Sequence, residues 1–198
     1  MAAALTLHLK SPVTPISMDD YWIDDHIPNW EVPEALDAVM FASELTRLVE
    51  HLKQGQLPQF AQAPRGKVAI ARPPREGDGD TAPTTQNGAR DPIVIVVEGF
   101  LLYHWVEIAQ MCTHKIFIKG SEKVCRERRY HRKYPQRDPA AMPVSYFEFY
   151  KNVWDHYVRF LPSQKENCGD ALEIDGSSVE DDVLTIALTH LATMSDRR

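Results

Sequence analysis

The spacing of hydrophobic positions along this chain alternates between patterns typical of strands and of helices. Residues 93–97 are all isoleucine or valine and are followed at once by Glu98. Such a run is typical of a strand buried on both faces of a parallel sheet. In residues 33–54 the apolar positions instead recur every three or four residues. This predicts an amphipathic helix that begins at Pro33 and ends before Gly55.

The remaining strands and helices are predicted from the same two patterns of hydrophobic spacing. Short strands are predicted at residues 14–18, 115–118 and 171–174, and helices at residues 1–10, 105–111, 121–133, 146–160 and 178–194. The strands at 93–97 and 115–118 are both expected to be buried. Strands that alternate with helices predict an α/β fold in which one parallel sheet is covered by helices on both faces.

Residues 57–92 interrupt this alternation, because Pro, Gly, Arg, Asp, Thr and Gln dominate there. A loop of that length without structure of its own is uncommon inside a compact domain. The buried strand predicted after residue 92 has to pack with the elements predicted before residue 57. We therefore expect residues 1–198 to form a single domain with a disordered insertion at about 57–92.

Composition narrows the class of protein. The 198 residues are 43% hydrophobic and 25% charged, as in ordinary globular proteins, and the net charge of -6 argues against a dedicated nucleic-acid partner. The three cysteines are widely spaced and match no zinc or redox motif, so reduced thiols in a cytoplasmic protein are expected. No apolar run is long enough to span a membrane, so no membrane partner is expected. The oligomeric state stays open.

Carboxylates follow two of the predicted strands. Asp19 and Asp20 come after residues 14–18, and Glu98 follows the apolar run. Sites in open α/β sheets form at the carboxyl ends of strands, so proton or metal chemistry is one interpretation. A simple polar turn is the alternative for the aspartate pair. A carboxylate in the position of Glu98 is costly unless it is solvated, metal-bound or hydrogen-bonded.

The predicted helix at residues 121–133 is strongly basic. Arg128 and Arg132 are four residues apart on one helical face, with Arg129 beside them, and could converge on a polyanion. With the loop that follows, the helix could act as a closing lid over residues 121–145. A solvated charged face and an RNA-binding patch are the alternatives.

Trp30 and Glu31 directly precede the predicted helix at residues 33–54. Trp30 could pack against that helix as a hydrophobic staple. It could instead be a stacking platform for a planar ring, with Glu31 offering acceptors to sugar hydroxyls.

Six short motifs occur in a fixed order along the chain. They are Ser17-Met18-Asp19-Asp20-Tyr21-Trp22, Trp30-Glu31-Val32-Pro33-Glu34-Ala35-Leu36, Val97-Glu98-Gly99-Phe100-Leu101-Leu102-Tyr103, Cys125-Arg126-Glu127-Arg128-Arg129-Tyr130-His131-Arg132, Tyr146-Phe147 with Val153-Trp154, and Leu172-Glu173-Ile174-Asp175-Gly176. The ordered set resembles the nicotinamide riboside kinases, members of the uridine-kinase-like group of P-loop kinases. The resemblance covers nearly the whole chain outside residues 57–92.

The resemblance implies an enzyme that transfers phosphate from ATP, with Mg²⁺, to the 5′-hydroxyl of nicotinamide riboside in NAD salvage. Asp19 would be the general base and Glu98 would help to hold Mg²⁺. The other implied roles are ring binding by Trp30 and Tyr134, ribose binding by Glu31 and Arg129, and phosphate binding by Arg128 and Arg132. A uridine kinase or related nucleoside kinase is the nearest alternative.

The phosphate-binding loop of this family has no counterpart in the sequence. The first glycine is Gly55, and no G-x-x-x-x-G-K-[ST] motif occurs. Residues 1–10 resemble the end of the helix that follows that loop in the family. We therefore expect an N-terminally truncated form of the P-loop kinase fold, and a catalytically inactive nucleoside-binding or regulatory protein is a further alternative.

Overall fold

The computed structural model describes residues 1–11, 13–23, 31–55 and 93–195, with side chains through residue 193. Its helices are α1 (Ala2–His8), α2 (Ala38–Lys53), α3 (Val106–Met111), α4 (Glu122–Lys133), α5 (Val144–Cys168) and α6 (Glu180–Ser195). Its strands are β1 (Ile16–Ser17), β2 (Val97–Glu98), β3 (Ile116–Lys119) and β4 (Leu172–Asp175). Short 3₁₀ turns occur at Met18–Tyr21, Pro33–Ala35, Leu102–His104 and Pro139–Ala141. The predicted insertion at 57–92 lies outside the described residues, as does Trp30.

The chain forms two compact units. The first comprises Met1–Asp25 and Leu36–Phe100, and the second comprises His26–Ala35 and Leu101–Arg198. The single domain expected from the sequence stays a prediction.

Two short parallel sheets replace the one predicted sheet within the described residues. In the first unit β1 pairs with β2, and in the second β3 pairs with β4. Parallel neighbours require a crossover, and helices lie between the paired strands in the sequence, so the α/β character is confirmed. The described part is helix-rich with small parallel sheets, which is compatible with a kinase-like α/β fold.

The predicted burial of two strands is wrong. Within residues 93–97 only Val97 belongs to a strand, and the side chain of Ile93 is 53% exposed. In β3 only Phe117 is buried, and Ile118 is 42% exposed. A strand is buried on both faces only when layers cover both, and the described residues cover these strands incompletely.

Helix α2 begins later than predicted. The Asp37 carboxylate accepts a hydrogen bond from the Met40 N–H at 2.8 Å and caps the helix, whereas Pro33 lies in a separate 3₁₀ turn. The N–H of Asp37 is bonded to the Tyr21 carbonyl at 2.8 Å, and Leu36 forms an isolated bridge with Trp22. These backbone contacts hold Leu36 and Asp37 in non-helical conformations, so the helix begins after them.

The buried face of α2 agrees only in part with the apolar face that the sequence predicts, which consists of Leu36, Val39, Met40, Leu45, Leu48, Val49 and Leu52. The observed buried face consists of Phe41, Leu45, Leu48 and Leu52, whereas Val39 is 82% exposed. Val39 lies about 200° around the helix from Phe41, so the two residues cannot share a face.

Helix α5 continues well beyond the predicted end at residue 160. It runs through Pro162, which supplies no N–H to the helix, and it ends at Gly169, whose φ is 58°. Its first half contributes to an aromatic core that comprises Tyr130, Met142, Tyr146, Tyr150 and Val153.

Helix α6 confirms part of the apolar face that the sequence predicts for it, which consists of Val179, Val183, Ile186, Ala187, Leu191 and Met194. Val183 and Ala187 are buried, whereas Val179 is 67% exposed and Ile186 is 45% exposed. No described helix is both long enough and apolar enough to cross a membrane.

Tyr103 holds the start of β3. Its hydroxyl accepts a hydrogen bond from the Ile116 N–H at 3.1 Å and donates one to the Ile116 carbonyl at 3.2 Å. Burial raises the pKa of Tyr103 from 10.0 to about 12. Since the neutral form is favoured in the folded protein, its contribution to stability is present below pH 10 and is lost as the pH rises through about 12.

We expect Tyr103→Phe to lower the free energy of unfolding by about 1–3 kcal/mol at neutral pH, because two polar groups of Ile116 lose their side-chain partner. The stability of the variant should also fall less steeply than that of the wild type between pH 10 and about 12. Urea unfolding followed by circular dichroism measures both quantities. Tyr157→Phe is the control, because the Tyr157 hydroxyl makes no hydrogen bond among the described residues. Equal losses in the two variants would contradict the role of Tyr103.

Candidate functional site

Two carboxylates predicted to be functional lie at the same end of the β1–β2 pair. The strands are parallel, with Ser17 opposite Glu98. Asp19 follows two residues later, in the 3₁₀ turn Met18–Tyr21, where its N–H is bonded to the Ser17 hydroxyl at 3.3 Å. Asp19, Asp20 and Glu98 therefore form a carboxylate edge at the carboxyl ends of adjacent strands, as the sequence predicted.

The carboxylate edge is open to solvent. Asp19 and Glu98 are exposed, and Asp20 is partly buried. Solvation removes the cost that a buried carboxylate in the position of Glu98 would carry. An exposed carboxylate is also accessible to an incoming ligand.

Gly99 permits the close approach of the two strand ends. A Cβ at this position would lie 2.6 Å from the Cβ of Met18, whose own side chain is fully buried. Just beyond these residues, the rings of Trp22 and Phe100 stack with their centroids 6.0 Å apart. Sequence reasoning missed both contacts, although Gly99 directly after Glu98 was a usable signal.

Tyr21 anchors the turn that carries Asp19. Its hydroxyl donates a 2.6 Å hydrogen bond to Glu44 of α2, and its ring meets Phe41 edge-on at 4.9 Å. Burial raises the pKa of Tyr21 well above its usual range, and the hydrogen bond to Glu44 raises it further. The phenol is therefore a permanent donor that ties the turn to the helix.

The carboxylate edge alone does not enclose a metal ion. Across the described ranges, no group of three or more His, Cys, Asp or Glu side chains could hold one. Mg²⁺ at phosphoryl-transfer sites commonly takes one or two carboxylates and completes its shell with substrate phosphates and water. Glu98 fits that type of partial donor set.

In the second unit the structure brings Glu31 and Arg129 together. The Arg129 guanidinium donates a 2.7 Å hydrogen bond to the Glu31 carboxylate, with the two side chains 34% and 18% exposed. The sequence predicted both residues for the same role, from positions nearly a hundred residues apart. Both side chains of this ion pair are therefore partly exposed.

Tyr134 ends α4 and joins an aromatic cluster. Its ring centroid lies 5.1 Å from that of Tyr130 and 6.4 Å from that of Tyr146. The guanidinium carbon of Arg137 lies 4.8 Å from the Tyr134 ring centroid. The Tyr134 ring, which is predicted to bind the nicotinamide ring, is therefore partly buried and has the Arg137 cation beside it.

Arg128 and Arg132 have different surroundings. The Arg128 guanidinium donates hydrogen bonds to the carbonyls of Gly176, Ser177 and Ser178, after the end of β4. Arg132 is exposed, and its side chain makes no hydrogen bond or ion pair with the described residues. The structure thus ties one of the two predicted phosphate ligands to the backbone.

Arg126 has a third kind of partner. It forms an ion pair with Glu122 at 2.8 Å, and its guanidinium carbon lies 4.4 Å from the centroid of Phe147. The basic helix α4 therefore is not a uniform charged face, because its arginines point to distinct partners.

We expect Arg128→Ala to lower the free energy of unfolding by about 0.5–1.5 kcal/mol, because hydrogen bonds that hold the turn after β4 are lost. Arg132→Ala is the matched control, with the same change of charge on the same helix and a smaller expected effect. Thermal unfolding followed by circular dichroism compares them. If both variants lose the same stability, the contacts of Arg128 with the turn do not stabilise the fold.

We expect Gly99→Ala to destabilise the first unit by about 1–3 kcal/mol, because the new methyl group would overlap Met18. Gly169→Ala serves for comparison. Nothing lies within 4 Å of a Cβ there, so only its positive φ should cost stability. Chemical denaturation of both variants tests this, and a fully stable Gly99→Ala protein would rule out the steric constraint.

Comparisons with known proteins connect the chain with one group of enzymes, although no family model matches it. It is 28% identical over 91 residues to nicotinamide riboside kinase 2 of Mus musculus, which is 46% of this chain and 44% of the relative. It is 25% identical over 111 residues to nicotinamide riboside kinase 1 of Rattus norvegicus, which is 56% of this chain and 54% of the relative. With nicotinamide riboside kinase 1 of Homo sapiens the identity is 24% over 100 residues, 50% of this chain and 47% of the relative.

The chain thus spans about half the length of the curated relatives it matches. These distant, partial similarities support the family that the motifs predicted.

Proposed function

We propose that this chain binds nicotinamide riboside and, with ATP and Mg²⁺, phosphorylates its 5′-hydroxyl to give nicotinamide mononucleotide. The observation that carries the proposal is the register of β1 and β2, which aligns Ser17 with Glu98 and so puts Asp19 and Glu98 at one strand edge. The similarity to nicotinamide riboside kinases supports the choice of substrate.

The carboxylate edge has the chemistry that the transfer needs. Asp19 would accept the proton of the attacking hydroxyl, as a general base within hydrogen-bond reach. Glu98 would hold Mg²⁺, which neutralises charge on the transferring phosphate when it is bound. Phosphoryl transfer depends mainly on positioning and charge stabilisation, so few protein groups have to react.

The nucleoside would be held by the residues to which the family resemblance gives that role. Glu31 and Arg129, already hydrogen-bonded to each other, would bind the ribose hydroxyls, since a carboxylate accepts and a guanidinium donates several hydrogen bonds. Tyr134 would pack against the nicotinamide ring together with Trp30. A cationic ring gains about 0.5–2 kcal/mol on an aromatic face.

The phosphates would be bound by arginines of α4. Arg132 is exposed and available to an anion, whereas Arg128 would have to exchange backbone carbonyls for phosphate oxygens. We therefore assign the larger part of this role to Arg132.

A second candidate is a nucleoside-binding protein without kinase activity. It is favoured by the sequence, since none of the nine glycines stands in a G-x-x-x-x-G-K-[ST] motif. That loop cradles nucleotide phosphates with its backbone N–H groups and lysine. A uridine kinase is the third candidate, with the same roles for Asp19 and Glu98.

We expect Asp19→Ala to abolish phosphorylation of nicotinamide riboside while its affinity changes by no more than about threefold, because the carboxylate acts on the proton and not on binding. Product formation from ATP is followed by chromatography, and affinity by isothermal titration calorimetry. Asp20→Ala is the neighbouring control and should retain turnover. Turnover by Asp19→Ala would remove Asp19 from the role of base.

Calorimetry also separates the three candidates. Binding of nicotinamide riboside with turnover supports the proposal, and binding without turnover supports the inactive nucleoside-binding protein. Binding of uridine, with no binding of nicotinamide riboside, would favour the uridine kinase.

A further inference from the structure

A cavity of about 170 Å³ lies between the end of α4 and the start of α5, within the second unit. Its lining residues are Lys133, Tyr134, Arg137, Pro143, Ser145, Tyr146 and Phe149. Two cations and no acid contribute to this lining. Its size suits a single ring with one substituent.

Three of the seven residues that line the cavity are aromatic. The ring centroids of Tyr134 and Tyr146 are 6.4 Å apart, and those of Tyr146 and Phe149 are 5.7 Å apart. Pro143 adds an apolar surface that lacks an N–H donor. Such walls favour a flat, apolar group over a hydrated inorganic ion.

The charged side chains of the cavity flank one ring. The Arg137 guanidinium carbon and the Lys133 ammonium lie 4.8 Å and 5.5 Å from the Tyr134 ring centroid. A backbone hydrogen bond from the Arg137 N–H to the Tyr134 carbonyl, 3.0 Å long, holds this turn. The adjacent acid, Asp138, already accepts a bond from the Ala140 N–H at 2.9 Å. Both cations are exposed and form no ion pair among the described residues.

The start of α5 adds to the positive potential. No side chain caps its first turn, which follows Pro143, and a helix N-terminus carries a partial positive charge. Tyr146 in that turn is only 7% exposed, and its hydroxyl has no hydrogen-bond partner in the described part of the chain. A buried hydroxyl without a partner costs stability unless a ligand or water satisfies it.

We propose that this cavity binds an aromatic ring that carries an oxyanion, either a carboxylate or a phosphate. The ring packs against Tyr134, Tyr146 and Phe149, while Lys133 and Arg137 pair with the anion. This site goes beyond the proposed function. It shares Tyr134 with the nucleoside site but needs neither ATP nor Asp19.

The test uses the full chain and four small probes: phenyl phosphate, benzoate, phenol and inorganic phosphate. Calorimetry at constant ionic strength should show binding of phenyl phosphate or benzoate, and which of them binds more tightly identifies the anion. The double variant Lys133→Gln/Arg137→Gln should weaken binding of the tighter probe by at least about tenfold. Phenol, which has the ring without the charge, should bind at least about tenfold more weakly than that probe.

Arg159→Gln is the matched control, because Arg159 is an exposed arginine on α5 that lies 5.4 Å from the Phe160 ring centroid and outside the cavity. Its affinity for the tighter probe should equal that of the wild type. Equal weakening by Arg159→Gln, or none in the double variant, would overturn the site. Inorganic phosphate binding as tightly as phenyl phosphate would overturn the part assigned to the ring. Binding of an aryl anion without binding of nicotinamide riboside would retain this site and reject the proposed function.

Discussion

The parallel register of β1 with β2 is the constraint on which the carboxylate edge depends. Parallel strands present their carboxyl ends at one edge, and the pairing of Ser17 with Glu98 brings together groups separated by about eighty residues in the chain. Gly99 makes this possible, because a side chain there would collide with Met18. Tyr21 then fixes the turn through its bond to Glu44. A pairing shifted by one residue would turn these side chains to the opposite face.

Helix α4 shows how one charged segment can serve several purposes. Arg128 stabilises the turn after β4, Arg129 pairs with Glu31, and Arg132 stays exposed. Positions around a helix differ by about 100° per residue, so neighbouring arginines reach different partners. Net charge alone therefore does not describe the function of this helix.

In the second unit, a cluster of aromatic residues lies beside the cations Lys133 and Arg137. Tyr130, Tyr134 and Tyr146 pack against each other at the junction of α4 with α5. Lys133 and Arg137 lie beside the Tyr134 ring and are exposed, so both are accessible to an anion. The same tyrosine cluster therefore offers an aromatic surface to a ligand ring and lies beside Lys133 and Arg137.

The existence and type of most helices and strands were predictable from the sequence. Hydrophobic repeats of two residues for strands and 3.6 residues for helices, and the residues that cap helices, depend only on nearby sequence. Ser121, whose hydroxyl accepts from the Val124 N–H at 3.4 Å, marks the start of α4 as expected. The start of α2 was not predictable, since Pro33 favours a helix locally while the contact of Asp37 with Tyr21 prevents one. The exposure of Ile93 was missed for a related reason, because hydrophobicity indicates what could be buried and not what covers it.

By itself the sequence determined the order of the motifs and the acids after two strands, and the family resemblance of those motifs gave Glu31 and Arg129 a shared ribose-binding role as a hypothesis. These features depend on residue type and spacing, which the chain carries without folding. Only the tertiary structure decided that Arg128 binds backbone carbonyls and that Lys133 and Arg137 flank Tyr134 at one cavity. Those contacts join positions whose separation in space is set by the packing of whole helices, and no local period encodes that distance.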